Sequence, residues 1–391
     1  MFRTGLVLGL LALVGPFAID MYLPAMPGMA AAFDVPETAV QATLTAYFIA
    51  FGAAQLVYGP MADRTGRRLP VFLGLAVFIA GSLGAALAGS IPALIGWRAV
   101  QGLGGAALMV VPRAIVRDLY TGPQATRLMA TIMLVISVSP MLAPLAGSTV
   151  IAWADWRAIF WTLAIVGTLS LLVTALAQPE TLPENRRTPI NAAALARGAR
   201  QLFTDPGFMG LTLIGGFGMA SFFVFLASAP FVYVQQFGLT PTGFSLAFAV
   251  NAVGFFSASQ LAGYLGERMG MRPLVRRGTA GFAFFTLLLF ALSLSGLTSL
   301  PLIIAGLFCA NACLGVVIPT AMVLALDDHG ENAGLASSLG GTLQMLAGGL
   351  MIVAAGPFFD GTAGPMLGAI ALCGVAAMGL AAGMLPRQSV V

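Results

Sequence analysis

The sequence has no lysine and a single histidine, His329, in 391 residues. A P-loop nucleotide site and a Schiff-base enzyme are therefore excluded, because both need a lysine side chain. The three cysteines all lie in apolar runs, a placement that indicates neither a disulfide framework nor a zinc site. With its one histidine in a polar loop, the chain is expected to hold no metal and no bound cofactor.

Charged residues are scarce as well. They make up 8% of the chain, against about a quarter in soluble domains, while 59% of the residues are hydrophobic. This composition predicts an all-α integral membrane protein, in which each span needs about 20 apolar residues. Twelve such segments are predicted, at 5–28, 39–61, 71–89, 93–117, 124–150, 158–178, 207–236, 242–265, 279–297, 301–326, 333–357 and 365–385.

All 18 basic residues are arginines, and their positions predict how the chain lies in the membrane. If the N-terminus is cytoplasmic, every arginine except Arg98 and Arg157 falls in a cytoplasmic loop, turn or terminus. Because an excess of positive charge marks the cytoplasmic side of a membrane protein, we expect both termini in the cytoplasm. The net charge of +4 then reflects topology, and no nucleic-acid partner is expected.

The longest hydrophilic stretch, residues 179–206, separates six predicted spans from six. We expect it to be a cytoplasmic linker between two pseudo-symmetric six-helix bundles, 1–178 and 207–391. The loop GPMADRTGRR, from Gly59, matches the loop GYLGERMGMR, from Gly263, when the sequence is shifted by 204 residues. Duplicated halves are a recurring transporter architecture, with the substrate site at the repeat interface near the membrane midplane.

Three motifs resemble the Major Facilitator Superfamily. The loop GPMADRTGRR resembles its signature between spans 2 and 3, and RAVQGLGGAA, from Arg98, resembles its fourth-span motif. SPMLAPLAGS, from Ser139, resembles its fifth-span antiporter motif. The residues that match this third motif are Pro140, Pro144 and Gly147. Small residues replace the expected glycines at Ser139, Ala143 and Ser148, and they still permit close helix approach.

The segments AIDMYLPAMP and VPRAIVRDLY together resemble the Bcr/CflA drug-resistance branch, which includes chloramphenicol and bicyclomycin exporters. The resemblance covers all twelve spans in order. It implies a bacterial inner-membrane monomer that uses the proton gradient and meets a small-molecule substrate, protons and membrane lipid. It also implies a cytoplasmic latch between the 2–3 loop and the end of span 4, whose residues here are Gly59, Asp63, Arg64, Gly66, Arg67, Arg117 and Asp118. Gly59 and Gly66 are expected to let the loop turn tightly.

Asp20 lies between Pro16 and Pro24 in the first span, where a charge is costly unless it is paired or faces water. One interpretation is that this carboxylate faces a cavity, gains and loses a proton, and has Arg98 as its partner. Two structural alternatives stay open. In the first, Asp20 caps a half-helix that the prolines break. In the second, the Arg98 side chain extends to the outer headgroups. Asp20 and Arg98 are our candidates for proton coupling.

Aromatic and amide side chains within the spans are candidates for the substrate pocket. Such rows also arise from helix packing, and intramembrane amides also form hydrogen bonds between helices, so both alternatives stay open. The candidates are Tyr22, Tyr47, Phe51, Gln55, Gln101, Phe222, Phe225, Asn251, Asn311 and Gln344.

These observations favour a proton-coupled antiporter that exports small amphipathic drugs by alternating access. An exporter of a physiological solute, such as an amino acid or a sugar, is the first alternative. A non-transporting membrane sensor is the second, although the longest loop is too short for a signalling domain. An enzyme is not expected, because no histidine or paired intramembrane carboxylates accompany a nucleophile.

Overall fold

The computed structural model describes residues 2–120, 122–187, 192–327, 329 and 333–385. Within these ranges, twelve helices are long and apolar enough to cross a membrane. They follow the order of the twelve predicted spans, which confirms that part of the sequence analysis. The chain divides into two compact units, Met1–Asn191 and Ala192–Val391.

The N-terminal unit holds spans 1 to 6. Span 1 consists of two helices joined by a 3₁₀ turn at Leu23–Ala25, and each further span is one helix. Its helices are α1 (Phe2–Asp20), α2 (Met26–Phe33), α3 (Glu37–Thr65), α4 (Arg68–Ala86), α5 (Ile91–Leu119), α6 (Gly122–Trp153) and α7 (Arg157–Ala177).

The C-terminal unit holds spans 7 to 12, preceded by the helix α8. Residues 188–191 of the predicted linker lie outside the described residues, as does the tail 386–391. The helices of the C-terminal unit are α8 (Ala192–Thr204), α9 (Pro206–Phe231), α10 (Pro241–Met269), α11 (Met271–Leu294), α12 (Leu300–Asp327), α13 (Ala333–Ala355) and α14 (Ala363–Met384). Span 7 continues past α9 into a π-helical turn at Val232–Gln236.

The same turn joins spans 2 and 3 and spans 8 and 9. α3 and α10 are both 29 residues long and lie 204 residues apart, and each ends at a glycine with positive φ. Gly66 has φ 93° and Gly270 has φ 80°, values that a side chain would disfavour. The internal repeat seen in the sequence is therefore repeated in backbone geometry.

The observed loop between spans 2 and 3 is shorter than the motif GPMADRTGRR from which it was predicted. Residues 59–65 belong to α3, and only Gly66 and Arg67 stand between α3 and α4. Gly59 was expected to help the chain turn, and that expectation is wrong because Gly59 lies inside a helix. The turn needs one glycine only, since a single residue with positive φ ends α3 and lets α4 begin at Arg68.

Helices in both units approach closely at glycines. A side chain at Gly102 of α5 would collide with the carbonyl oxygen of Tyr47 on α3. In the C-terminal unit, a side chain at Gly315 of α12 would collide with the carbonyl oxygen of Phe255 on α10. Small residues at such crossings allow the dispersion contacts that hold membrane helices together.

The orientation predicted from the arginines can be tested at two open glycines. A Cβ at Gly89, in the 3–4 loop, or at Gly334, in the first turn of α13, meets no atom within 4 Å. In a variant whose native cysteines are serines, we expect Gly89→Cys to react with an impermeant thiol reagent on intact cells. Gly334→Cys should react only after the membrane is opened. Labelling in the reverse pattern would contradict the cytoplasmic assignment of both termini.

Candidate functional site

The first span is broken one turn from its acidic residue. An unbroken helix would pair the N–H of residue 24 with the carbonyl of Asp20, but Pro24 has no N–H. α1 therefore ends at Asp20, a 3₁₀ turn follows, and α2 begins at Met26. The break leaves the last carbonyls of α1 in need of other donors and places Asp20, 4% exposed, at the helix terminus.

Arg98 supplies one of those donors from α5. Its Nη1 donates to the carbonyl oxygen of Ala18 at 3.1 Å and to Oε1 of Gln101 at 2.5 Å. Because arginine can only donate, this bond fixes the orientation of the Gln101 amide. Gln101 Nε2 then donates to Oγ of Ser82 on α4 at 2.8 Å. The guanidinium thus connects spans 1, 3 and 4.

Three aromatic rings surround the rest of the guanidinium. Its central carbon lies 4.6 Å from the ring centroid of Tyr22, 4.5 Å from that of Tyr47 and 5.9 Å from that of Phe160. Within the described residues, Nε and Nη2 have no hydrogen-bond partner. The electron-rich ring faces stabilise the cation instead. We call Arg98, its three rings, Gln101 and Ser82 the arginine cage.

The cage differs from the expected pairing of Arg98 with Asp20. None of the ion pairs among the described residues joins these two side chains. Arg98 instead binds a backbone carbonyl two residues before Asp20, because the helix break offers that acceptor. Nor does Arg98 extend to the outer headgroups, since its side chain is fully buried.

Three of the predicted substrate residues belong to the cage. Tyr22, Tyr47 and Gln101 are fully buried around the guanidinium. Tyr22 is also held by a 2.6 Å hydrogen bond to Thr43, and the Tyr47 hydroxyl donates to the carbonyl oxygen of Gly15 at 3.4 Å. Their contacts in this structure support Arg98, and their contact with a substrate stays a prediction.

The antiporter motif packs on the broken span. Gly147 of α6 lies against the break, where a side chain would collide with the carbonyl oxygen of Met21 and come within 3.1 Å of Pro24. The motif's prolines, Pro140 and Pro144, lie inside the same helix and are buried. The motif therefore allows span 5 to approach the segment that carries Asp20.

The other pocket candidates lie along α3 and in the C-terminal unit. Phe51 stacks on Tyr47 with the ring centroids 5.8 Å apart, and Gln55 lies one turn further and is buried. Phe222 stacks on Phe255 of α10, whereas Phe225 stacks on Phe248, seven residues earlier in the same helix.

Amide candidates in the C-terminal unit have different surroundings. The Asn251 amide donates to the carbonyl of Ala247 at 3.2 Å, while its Oδ1 is buried without a partner among the described residues. Asn311 is 7% exposed. Gln344 packs against Gly215, since its Nε2 lies 2.8 Å from where a Cβ would stand. A buried acceptor without a donor, as at Asn251, is the arrangement that a polar ligand or water would complete.

A second cluster lies at the turn between α3 and α4. Arg67 donates from Nε and Nη2 to the two carboxylate oxygens of Asp118, at 2.7 and 3.2 Å. Its Nη1 donates to Asp63 at 2.6 Å. The two-pronged contact ties the 2–3 turn to the end of span 4, and Arg67 is only 6% exposed.

The central segment after span 6 joins this cluster through Glu180. Its carboxylate accepts hydrogen bonds from the backbone N–H groups of Arg67 at 2.8 Å and Arg68 at 3.1 Å, which open α4. Thr181 donates its hydroxyl to Asp118 at 3.2 Å. Glu180 and Thr181 were assigned to a linker in the sequence, because nothing local links them to a turn over a hundred residues earlier.

The charges of the cluster support one another. Partial burial alone would lower the pKa of Arg67, but the hydrogen bonds that it donates to Asp118 and Asp63 raise that pKa above its usual value. Burial likewise opposes ionisation of Glu180, yet four backbone N–H groups hold its pKa below the usual range. Arg67 and Glu180 are therefore ionised at neutral pH, and the stabilising contribution of Glu180 is lost only as the pH falls through its lowered pKa.

Not every predicted latch residue takes part. Arg64 and Arg117 are exposed and form no ion pair among the described residues. Gly66 contributes through its backbone, since a Cβ there would lie 2.5 Å from the Glu180 carboxylate. The observed cluster, which we call the turn cluster, consists of Asp63, Arg67, Asp118, Glu180 and Thr181.

Comparison with known proteins decides the family. Residues 8–352 match the family model of the Major Facilitator Superfamily. The chain belongs to the Major Facilitator Superfamily. Members of this family carry small-molecule substrates, and the twelve spans together with bacterial relatives make this a multi-pass protein of the inner membrane.

Two relatives align along most of their length. The chain is 31% identical to the bicyclomycin resistance protein homolog of Haemophilus influenzae, over 94% of this chain and 92% of the relative. It is 32% identical to a chloramphenicol resistance protein of Pseudomonas aeruginosa, over 89% and 83%. The fold alone is shared with the crystal structure of a D-xylose-proton symporter, at a TM-score of 0.79 and 18% identity over 99% of this chain and 98% of that one.

Removal of one charge should loosen the turn cluster. Asp118→Asn keeps the shape of the side chain but weakens its bonds to Arg67, and hydrogen bonds to charged groups contribute about 1.5–3 kcal/mol. We expect amide hydrogen exchange around residues 66–68 and 180–182 to rise roughly tenfold, the factor that corresponds to about 1.4 kcal/mol. Transport should slow while expression stays intact.

The matched control is the neighbouring arginine. Arg117→Gln removes a charge from the same helix end without removing an ion pair of the cluster. Exchange in these segments should stay at the wild-type rate. Equal exchange rates in wild type and Asp118→Asn would show that the acidic residues are surface charges that do not stabilise the turn.

Proposed function

We propose that the protein is a proton-coupled antiporter that exports small amphipathic drugs, such as phenicol- or bicyclomycin-type antibiotics. The names of the two aligned relatives support the substrate class. The observation that carries the coupling mechanism is Asp20, a buried carboxyl group at the break in span 1.

Asp20 is distinguished from the other acidic residues by its depth. Among the aspartates and glutamates that the structure describes, the others lie near a span end or outside the spans. A lone charge at bilayer depth is costly, so an acidic group held there needs a role that involves its charge. Proton uptake and release is such a role, and it requires neither metal nor nucleotide.

The arginine cage holds a fixed positive charge at the carbonyl of Ala18, two residues before Asp20, without an ion pair that would fix the charge state of Asp20. Arg98 is anchored by Ala18 and Gln101, so it stays in place whether Asp20 is charged or neutral. A direct ion pair would have to be broken at each proton uptake, at a cost of several kcal/mol for a buried pair, on the order of 3–5. The separation therefore suits a carboxyl group that must change charge repeatedly.

Export then follows from competition at Asp20. When the site opens outward, Asp20 takes up a proton and the substrate leaves. When the site opens inward, substrate binding favours release of that proton to the cytoplasm. A neutral drug is thus exported as a proton enters, and the proton gradient drives the cycle in a monomer surrounded by membrane lipid.

The turn cluster sets the balance between the two states. We assign it to the cytoplasmic side, with both termini, and infer that it favours the outward-open state. An exposed ion pair contributes only about 0–1 kcal/mol, but Arg67 is buried and bound through three nitrogens. A shift of about 1.4 kcal/mol changes the ratio of two states tenfold.

Neutralisation of Asp20 tests the coupling. Asp20→Asn has nearly the same size and mimics the protonated form permanently. In inverted vesicles, proton-driven uptake of chloramphenicol or bicyclomycin should fall to the level of vesicles without the protein. Drug binding should persist and should lose its dependence on pH.

The control is the acidic residue that directly follows the same span. Asp34, at the end of α2, has φ 51°, a left-handed conformation that asparagine also adopts readily. Asp34→Asn should therefore transport with the wild-type pH profile. Normal pumping by Asp20→Asn would make Asp20 a structural helix terminus and would move the coupling site elsewhere.

A further inference from the structure

The C-terminal unit contains a large groove at one end of its bundle. Its volume is about 1090 Å³, and it is lined by the ends of α11, α13 and α14 and by the turn that closes span 7. All of these elements belong to the C-terminal unit. By the orientation proposed above, this end faces the outer leaflet.

The walls of the groove are apolar and continue onto the surface of the bundle. Leu294 of α11 is 74% exposed, Phe358 after α13 is 75% exposed, and Leu372 of α14 is 61% exposed. Phe290 and Met351 lie deeper between them. In a membrane protein, exposed apolar side chains of this kind lie against lipid chains, so the groove opens toward the hydrocarbon.

One end of the groove is polar and held by hydrogen bonds. Asp360 accepts hydrogen bonds at Oδ1 from the backbone N–H and the hydroxyl of Thr362, at 2.9 and 2.6 Å. Gln236 accepts from the N–H of Ala363 at 2.7 Å. These bonds cap the start of α14 and leave Asp360 Oδ2 and the Gln236 amide N–H groups at the rim. The rim therefore offers one anionic acceptor and several neutral donors.

The charge of the rim has one sign. The hydroxyl and backbone N–H of Thr362 hold the pKa of Asp360 below its usual range, so it is ionised at neutral pH. None of the described residues that line the groove is an arginine, and the sequence has no lysine. A bound cation is favoured here, whereas a ligand with a net negative charge would find no basic side chain among the lining residues.

We propose that this groove binds a zwitterionic phospholipid whose headgroup carries an ammonium group, as in phosphatidylethanolamine. The ammonium group lies at Asp360, and the phosphate accepts hydrogen bonds from Gln236 and the hydroxyl groups of Ser293 and Thr298. The acyl chains follow the apolar walls between α13 and α14. This site is separate from the arginine cage and does not depend on the transport function.

An anionic phospholipid matches the rim less well. Phosphatidylglycerol has the same acyl chains and the same phosphate, but its headgroup has no cation to meet Asp360. The two lipids therefore differ only in the part of the headgroup that meets Asp360. Since exposed ion pairs contribute about 0.2–1 kcal/mol, the expected preference for the ethanolamine lipid is roughly 1.4- to fivefold.

The experiment measures lipids bound to the purified full-length protein. The protein is placed in nanodiscs with equal amounts of phosphatidylethanolamine and phosphatidylglycerol, and the lipids retained on extraction are counted by native mass spectrometry. Wild type should retain the ethanolamine lipid preferentially. Asp360→Asn, which keeps the cap on α14, should bring the ratio close to one.

Two further variants separate the groove from general surface effects. Asp155 is a matched control because it also caps a helix, accepting from the N–H of Arg157 at 3.0 Å, and is exposed. Asp155→Asn should leave the preference unchanged. Ala354→Trp, at an exposed position in the groove wall, should reduce the number of retained lipids without changing charge.

The proposal is overturned if wild type retains both lipids equally or prefers phosphatidylglycerol. It is also overturned if Asp155→Asn changes the ratio as much as Asp360→Asn does. Retention unaffected by Ala354→Trp would place the bound lipid elsewhere on the bundle.

Discussion

A buried guanidinium that pairs with no carboxylate among the described residues organises the N-terminal unit. Transfer of such a charge out of water costs about several kcal/mol, even after the surrounding protein has relaxed around it. Two hydrogen bonds from Nη1 and three aromatic faces offset that cost for Arg98. Its acceptor at Ala18 exists because Pro24 interrupts span 1, so the break and the cage depend on each other. A cation at the end of α1 also meets the negative end of the helix dipole.

The two units share the backbone geometry of one turn, but not the charged residues beside it. Gly66 and Gly270 make the same turn 204 residues apart, yet the position of Arg67 is occupied by Met271 in the second copy. Glu267 follows the pattern of Asp63, but no ion pair of the described residues includes it. We infer that coupling and conformational balance reside in the N-terminal unit. The C-terminal unit keeps uncharged polar groups such as Asn251 within its spans.

The sequence predicted the features that depend on local pattern. The twelve spans follow from apolar length, and Asp20 and Arg98 stand out because charges are rare in spans. The partners of these residues depend on tertiary packing and could not be predicted. Phe160 approaches Arg98 from span 6, and Glu180 binds a turn far away in the chain, with no spacing to indicate either contact. For Gly59 the motif led to a wrong prediction, since this glycine was expected in a turn and lies inside α3.

The central claim is that proton and substrate compete through Asp20, and proton release on substrate binding tests it most directly. Purified protein in a weakly buffered solution with a pH indicator is mixed with saturating chloramphenicol or bicyclomycin, with drug added to protein-free solution as the blank. Wild type should release protons in proportion to the drug bound, and Asp20→Asn should bind the drug and release none. Release of the same number of protons by Asp20→Asn would contradict the account.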